Sequence, residues 1–394
     1  MKNKYDIIIV GAGPAGLAAA ISAKSKNDLN ILVFEKQEQV GKRIRGETLK
    51  VDADLEKKIL YAGFFNEITI NKTNQYRFYS PSTKNFVAIE APYNRHIIDW
   101  HELMKGLVKR VEENGVALRT NHNVTDLIFE KGKYQGIIVY DGSEKFKLQS
   151  DLLILADGCK NTLINKYGIQ IPKENCPILK IIAENVKLDG NVIELFFSSG
   201  NDIPPGVLSI FPRSKTSAEA NYVIFIRSIK SPLHSQDIKY WWDKLSVETP
   251  IFSDRFKDSK IQYYDTSFLP FGGPENENLI PKAGVFLVGD NAAHNEATGG
   301  SGLISSMKMG YEIGLITSEI IQSGEVEEFL SPESKKQLIK RIRKTKIYRE
   351  LKNLAQIAVN IRRAFFQILV TPENIDQEWN TKIAPSLQNA AGFF

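Results

Sequence analysis

Two short runs of glycine and acid, far apart in this chain, hold the chemistry that can be read most directly. Gly11-Ala12-Gly13-Pro14-Ala15-Gly16 follows an apolar, β-branched run from Asp6 to Val10 and leads into an Ala-rich stretch from Leu17 to Ser25. At such a junction Gly11 permits a tight turn, Gly13 lets the backbone approach a diphosphate, and Gly16 lets helix and strand pack closely. The N–H groups of the helix start, with Pro14 and Ala15 in its first turn, then face the phosphates. Glu35, followed by Lys36, closes the next apolar run, Ile31 to Phe34. A carboxylate about 20 residues beyond the glycines accepts hydrogen bonds from ribose hydroxyls, and its charge disfavours a phosphorylated ribose.

The second run is Gly284 to Asp290, an apolar strand pattern ending in Gly289-Asp290, followed by Gly299-Gly300-Ser301-Gly302 and then Leu303. An acid at the end of a strand suits the hydroxyls of a sugar-alcohol chain, and a glycine-rich helix start suits an electron-poor ring. A flavin dinucleotide uses both sites, so the expected cofactor is FAD.

The elements that must position these residues are legible at low resolution. Residues Tyr5 to Glu35 read as a βαβ unit. Trp100 to Asn114 has helical spacing through Leu103, Leu107 and Val111. Val124 to Phe129 and Tyr134 to Tyr140 flank a Glu130–Lys133 turn, and Leu152 to Ala156 ends at Asp157-Gly158. Between Lys180 and Gly272, four short β-rich runs are separated by turn clusters, and Leu303 to Ile321 reads as a long helix. The fold class is therefore α/β, with a Rossmann-type FAD-binding domain, an inserted antiparallel β-sheet substrate domain and a C-terminal helical region. The FAD domain is assigned to residues 1–50, 93–170 and 275–325, the substrate domain to 51–92 and 171–274, and the helical region to 331–394. One apolar stripe from Leu338 to Ile368 marks that last region.

Further motifs carry a resemblance. Arg43-Ile44-Arg45-Gly46-Glu47-Thr48-Leu49, Arg95 with Asp99, Ala156-Asp157-Gly158, Pro204 to Pro212, and Gly289 to Gly302 are their positions here. With the first glycine run, they resemble the geranylgeranyl reductase-like flavoproteins, within the superfamily of para-hydroxybenzoate hydroxylase and the flavin-dependent halogenases, over about residues 1 to 325. The resemblance implies that Arg43, Arg45, Arg95 and Asp157 lie at FAD, beside Asp290, Gly300, Ser301, Gly302 and Leu303. It implies that Val207, Ser209 and Phe211 line the substrate pocket. Val207 and Ser209 stand where the reductases carry tyrosine and tryptophan, and the two tryptophans of the halogenases are absent, which argues against halogenation.

His294, next to Gly289-Asp290, is the candidate for proton transfer, because histidine titrates near neutrality. The remaining four histidines have no metal-ligand spacing, so no metal is expected. Net charge is only +5, which disfavours nucleic acid as a partner. Glu333 to Arg363, however, carries eleven Lys or Arg against two acids, a face suited to a membrane surface or a carrier protein. Two cysteines, no export signal and no apolar run long enough to span a bilayer point to the cytoplasm, with peripheral membrane contact allowed. The expected activity is FAD-dependent reduction of a carbon-carbon double bond in an apolar, prenyl-like or carrier-bound substrate, with NADH or NADPH as electron donor. A flavin monooxygenase hydroxylating an aromatic or other electron-rich substrate is the alternative, and a flavin-bound electron-transfer module without turnover is a third reading.

Overall fold

The computed structural model describes residues 4–25, 28–160, 162–169, 172, 175–198, 204, 206–225, 237–270, 272–297, 300–324, 326–329, 331–369 and 375–389; Asn161, Pro205, Thr298 and Gly299 lie outside them. Two sheets organise it. The first contains β1 (Lys4–Val10), β2 (Ile31–Phe34), β6 (Ala117–Arg119), β7 (Asn123–Glu130), β8 (Lys133–Tyr140), β9 (Lys145–Leu155) and β15 (Val285–Leu287). The second contains β3 (Thr48–Leu49), β4 (Thr69–Tyr79), β5 (Phe86–Ile98), β10 (Asn175–Glu184), β11 (Ile193–Ser198), β12 (Gly206–Pro212), β13 (Ser217–Ile224) and β14 (Lys260–Pro270).

In the first sheet the order is β6-β2-β1-β9-β8-β7, with β15 also against β9. β1 is parallel to β2 and β9, β2 to β6, and β15 to β9. Both faces are covered, which is why β1 and β2 read as unbroken apolar runs rather than alternating ones. Ile7 and Ile9 enter one core while Ile8 and Val10 enter the other. β9 is long because it serves twice: residues 145–149 pair with β8 in an antiparallel meander, and Leu153–Leu155 pair with β15. Lys131 and Gly132, at φ 48° and 81°, make the tight β7–β8 turn whose left-handed residues match the twist of the strands.

Two helices pack on one face of this sheet at unusually close range. The Leu303–Ser323 helix lies against Pro14–Lys24, and a Cβ on Gly310 would stand 2.2 Å from the Ala15 carbonyl oxygen. A Cβ on Gly314 would stand 2.2 Å from the Ala19 carbonyl. Backbone thus meets backbone through two glycines one turn apart.

The second sheet runs β14-β10-β13-β12-β11-β4-β5-β3, antiparallel except where β11 meets β4. Alternation along its strands sends residues to two destinations. Leu179, Ile181, Leu208, Ile210, Ala220 and Tyr222 pack, with Trp242 and Phe252, beneath the Asp237–Glu248 and Pro250–Phe256 helices. The next residue on each strand faces a cavity.

Several boundaries differ from the sequence reading. β5 continues to Ile98 and β3 pairs with it, so residues 93–98 and Thr48–Leu49 run in the second sheet, not with the nucleotide unit. Leu55, Ile59, Phe64 and Phe65, assigned to the substrate unit, instead pack into the core of the first sheet. The C-terminal stripe is two helices, Pro332–Lys344 and Lys346–Leu369. Thr345 breaks it by adopting an extended backbone and capping the next helix through its Oγ1, 3.3 Å from Tyr348 N.

Beneath the two short helices, Glu194 is fully buried and receives a forked pair of bonds from Arg255, with Nη2 to Oε1 at 2.8 Å, and one from Tyr79 Oη at 2.9 Å. Removing one partner of a buried pair strands the other charge, at about 3–5 kcal/mol. Arg255→Ala is therefore expected to lower the urea unfolding midpoint by an amount corresponding to that loss. A midpoint equal to wild type would show that the pair is not needed.

Candidate functional site

The parallel strands of the first sheet end together, and this edge is where the candidate residues gather. Gly11 follows β1, Glu35 follows β2, Asp157 follows β9 and Asp290 follows β15. Gly11 has φ +104°, and a Cβ there would lie 2.3 Å from the Ala156 carbonyl oxygen. Gly16 is equally confined, 2.1 Å from the Gly11 oxygen. Gly13 differs: nothing lies within 4 Å of its missing Cβ, so the space in front of it is open to a ligand. The Pro14–Lys24 helix begins there without a side-chain cap, and the Leu303–Ser323 helix likewise has none at Gly302. Uncapped N–H groups at two helix starts make two places for acceptor atoms.

Glu35 already accepts from Ala12 N at 3.1 Å and Gln37 N at 2.9 Å, which aims its remaining lone pairs outward. Asp157 accepts from Asn291 Nδ2 at 2.9 Å, tying the ends of β9 and β15 together. Burial holds the Asp157 carboxyl above the usual carboxylate range, against the bond from Asn291. Asp290 has no hydrogen-bond partner for its carboxylate among the described residues; burial raises its pKa and Arg45 opposes the rise. A carboxylate so placed is unfavourable without donors, and the hydroxyls of a sugar-alcohol chain would supply them. The residues present thus fit FAD.

Of these residues, all but Gly16 and Asn291 line one cavity of about 800 Å³ that continues to the inner face of the second sheet. Its walls include Gly11, Gly13, Pro14, Ala15, Glu35, Lys36, Arg43, Arg45, Arg95, Asp157 and Asp290, then Gly300, Ser301, Gly302 and Leu303. Val207, Ser209 and Phe211 line its sheet end, as do Ile193, Leu195, Phe197 and Val223. Arg43 is held by Asp265, with Nε to Oδ2 at 2.9 Å, and Arg45 by Ser267 Oγ at 2.8 Å. Both arginines thereby anchor residues 43–46 to β14. Arg95 donates to Tyr76 Oη at 3.3 Å and belongs to the second sheet. Ile357, Ala358 and Leu387 close the cavity from the C-terminal region.

His294 is not among the cavity walls, which corrects its candidacy for proton transfer. It is fully buried, and its Nδ1 accepts from Gly289 N at 3.3 Å, so it supports the turn that carries Asp290. Burial depresses its pKa to about 3. Other groups in the cavity went unnoticed in the sequence. Glu296 lines it with no partner for its carboxylate among the described residues, and burial raises its pKa against the opposing charges of Arg95, Lys308 and Lys50. Lys180, Glu219 and Asn221 lie on the sheet face. A lone lysine within the apolar run Pro177 to Ala183 was the available signal. Among the described residues no cluster of three metal-ligating side chains occurs, and no helix is long and apolar enough to cross a membrane.

A family model described as pyridine nucleotide-disulphide oxidoreductase matches residues 5–189. A digeranylgeranylglycerophospholipid reductase of Methanocaldococcus jannaschii is 26% identical over 345 residues, 83% of this chain and 80% of that protein. The protein of that name in Methanococcus vannielii is 27% identical, over 84% and 81% of the two chains. Among solved structures, a geranylgeranyl bacteriochlorophyll reductase-like protein from Thermoplasma acidophilum aligns over all of both chains, with a TM-score of 0.74 and 19% identity. A p-nitrophenol 4-monooxygenase from Pseudomonas putida aligns over 99% of this chain and 95% of its own, with a TM-score of 0.66 and 12% identity.

With a folded-state pKa near 3, His294 is expected to stay neutral between pH 5 and 8. Its unfolded form takes a proton below about pH 6.5, so this residue's contribution to stability is present above that pH and is lost as pH falls toward 3. Carbon-13 or nitrogen-15 NMR of labelled histidine should give one ring that does not titrate in that window. A His294 signal titrating near pH 6.5 would contradict the buried placement.

Proposed function

We propose that this chain, a FAD-dependent oxidoreductase of the geranylgeranyl reductase-like kind, reduces a carbon-carbon double bond of an apolar, prenyl-like substrate, with NADH or NADPH as electron donor. The observation that carries the reading is the single cavity joining a dinucleotide-type strand edge to a largely apolar sheet face. Similarity to reductases over some four-fifths of the chain supports the choice of reaction.

In this reading Gly11, Gly13, Pro14 and Ala15 receive the diphosphate while Gly16, which does not line the cavity, lets the helix pack on the turn; Glu35 with Lys36 takes the ribose, and Asp290 accepts from the ribityl hydroxyls. Gly300 to Leu303 would face the ring, with Arg43, Arg45, Arg95 and Asp157 around it. FAD held there would supply the hydride equivalent for one alkene carbon, its electrons coming from NADH or NADPH. The chain's own contribution is to exclude water and to deliver a proton to the other carbon. Glu296 is the group placed for that delivery. Its carboxylic acid is favoured by burial, and the positive charges of Arg95, Lys308 and Lys50 favour the carboxylate left after transfer until solvent returns the proton.

The exposed basic face at Lys336, Lys340, Arg343 and Lys344 suits contact with an anionic surface, a membrane or an acidic carrier that presents the substrate.

Anaerobic incubation of the flavin-loaded protein with NADPH or NADH and polyprenyl substrates should yield a saturated bond without oxygen. Strict dependence on oxygen, with an oxygen atom in the product, would instead support the hydroxylase alternative. Asp290→Ala is expected to purify folded but colourless, and retention of flavin would remove the assigned role. Glu296→Gln should keep its flavin and lose about 10²-fold or more in alkene reduction. Because the acid form is the donor, the wild-type rate should fall as pH rises through the raised Glu296 pKa, and that fall should vanish in the Gln variant. An unchanged rate or profile would assign the proton to water.

A further inference from the structure

We infer that the inner face of the second sheet carries a subsite for an uncharged hydrogen-bond donor, an alcohol or phenol hydroxyl on an otherwise apolar substrate. The inference rests on the reading that this end of the cavity takes the substrate.

The strand registers place a polar row straight across the sheet. Asp265 on β14 is opposite Lys180 on β10, Lys180 is opposite Asn221 on β13, and Asn221 is opposite Ser209 on β12. Continuing outward, Ser209 is opposite Leu195 and Leu195 is opposite Phe78, so the row turns apolar at β11. Glu219, two residues before Asn221 and on the same face, completes it. Every one of these side chains lines the cavity. Lys180 and Glu219 are nonetheless buried, and Ile178, Val207, Phe211 and Val223 line the same wall.

The hydrogen bonds within the row are lopsided. Lys180 Nζ pairs with Glu219 Oε1, and Asn221 Nδ2 donates to that same oxygen at 2.7 Å. Glu219 Oε2 and Asn221 Oδ1 are consequently left buried with no donor among the described residues. Two adjacent acceptors with no donor are unfavourable in a dry wall, and a ligand O–H would satisfy one of them while accepting from Ser209 or a remaining Lys180 N–H.

Charge pairing narrows the class. Lys180 pairs with Glu219 and Arg213 with Glu47, Nε to Oε2 at 2.7 Å, while Arg43 and Arg45 share the one carboxylate of Asp265 at the β14 end. A phosphate or carboxylate head beside Asn221 and Ser209 would meet the two bare acceptor oxygens, and the lysine of that stretch, Lys180, is already paired. An ether would offer those acceptors no proton. The group that fits is a neutral donor, and the apolar side chains on either side of the row would hold the hydrocarbon attached to it.

The test uses the flavin-loaded protein and three probes sharing one C20 polyprenyl chain: the free alcohol, its methyl ether and its monophosphate, with affinities from calorimetry. Wild type is expected to bind the alcohol about tenfold or more tightly than either of the others. Asn221→Leu should bring alcohol and ether to similar affinity by raising the alcohol's Kd, and Ser209→Ala, a milder change, should narrow the gap. Equal binding of alcohol and ether by wild type, or tightest binding of the phosphate, would overturn the subsite while leaving the apolar substrate in place. Failure of all three to bind would overturn the apolar-substrate reading and this inference with it.

Discussion

Contact between the Pro14–Lys24 and Leu303–Ser323 helices, made backbone to backbone at Gly310 and Gly314, is the constraint on which the rest of the arrangement depends. Each glycine lies where a methyl would collide with a carbonyl of the opposing helix. Because these helices start at Gly13 and Gly302, their separation also sets the distance between the glycine turn after β1 and the downstream glycine segment. A larger side chain at either position would push one helix start away from the other without touching the cavity. Both starts are uncapped, so the two helices present their unpaired N–H groups to one space.

That space is bounded on its other side by a sheet whose strands have a clean division of labour. One set of residues packs under the short helices, while its alternates face the cavity. The joint between the two units is apolar where Leu49, Ile98 and Ile182 of the second sheet enter the core of the first, and polar at β14. Arg43 and Arg45 reach from the loop after β2 to Asp265 and Ser267 on β14, while the Ile44 amide donates to Tyr263 Oη at 2.9 Å. These bonds fix the second sheet relative to the strand edge. A substrate lying on that sheet is thereby presented to whatever occupies the edge, so orientation is built into the fold.

The legible part of this molecule was the part specified by near neighbours in the chain. The βαβ unit, the Glu130–Lys133 turn and the Leu303 helix depend on glycines, caps and periodicity within a few residues, and the structure has elements in those places. Residues 69–98 were harder, because the long β4–β5 pair is rich in polar residues on its exposed side and is interrupted by two bulges. β14 is an edge strand whose residues are mostly half-exposed, so no apolar alternation marked it. The polar row could not be seen at all, since Lys180, Asn221, Ser209 and Asp265 become neighbours only through cross-strand register. His294 misled for the opposite reason: proximity in sequence to Asp290 placed it beside the cavity wall, but its ring turns back to the Gly289 amide.

The central claim is that one cavity seats both a flavin and an apolar substrate, the ring lying between the Gly300–Leu303 helix start and the β10–β13 face. The most direct measurement is a crystal structure of the flavin-loaded protein. It should have the diphosphate at Gly13 and Ala15, the ribityl chain at Asp290 and the ring opening onto Ser209 and Asn221. A ring directed to solvent, or a diphosphate bound away from the glycine turn, would contradict the account.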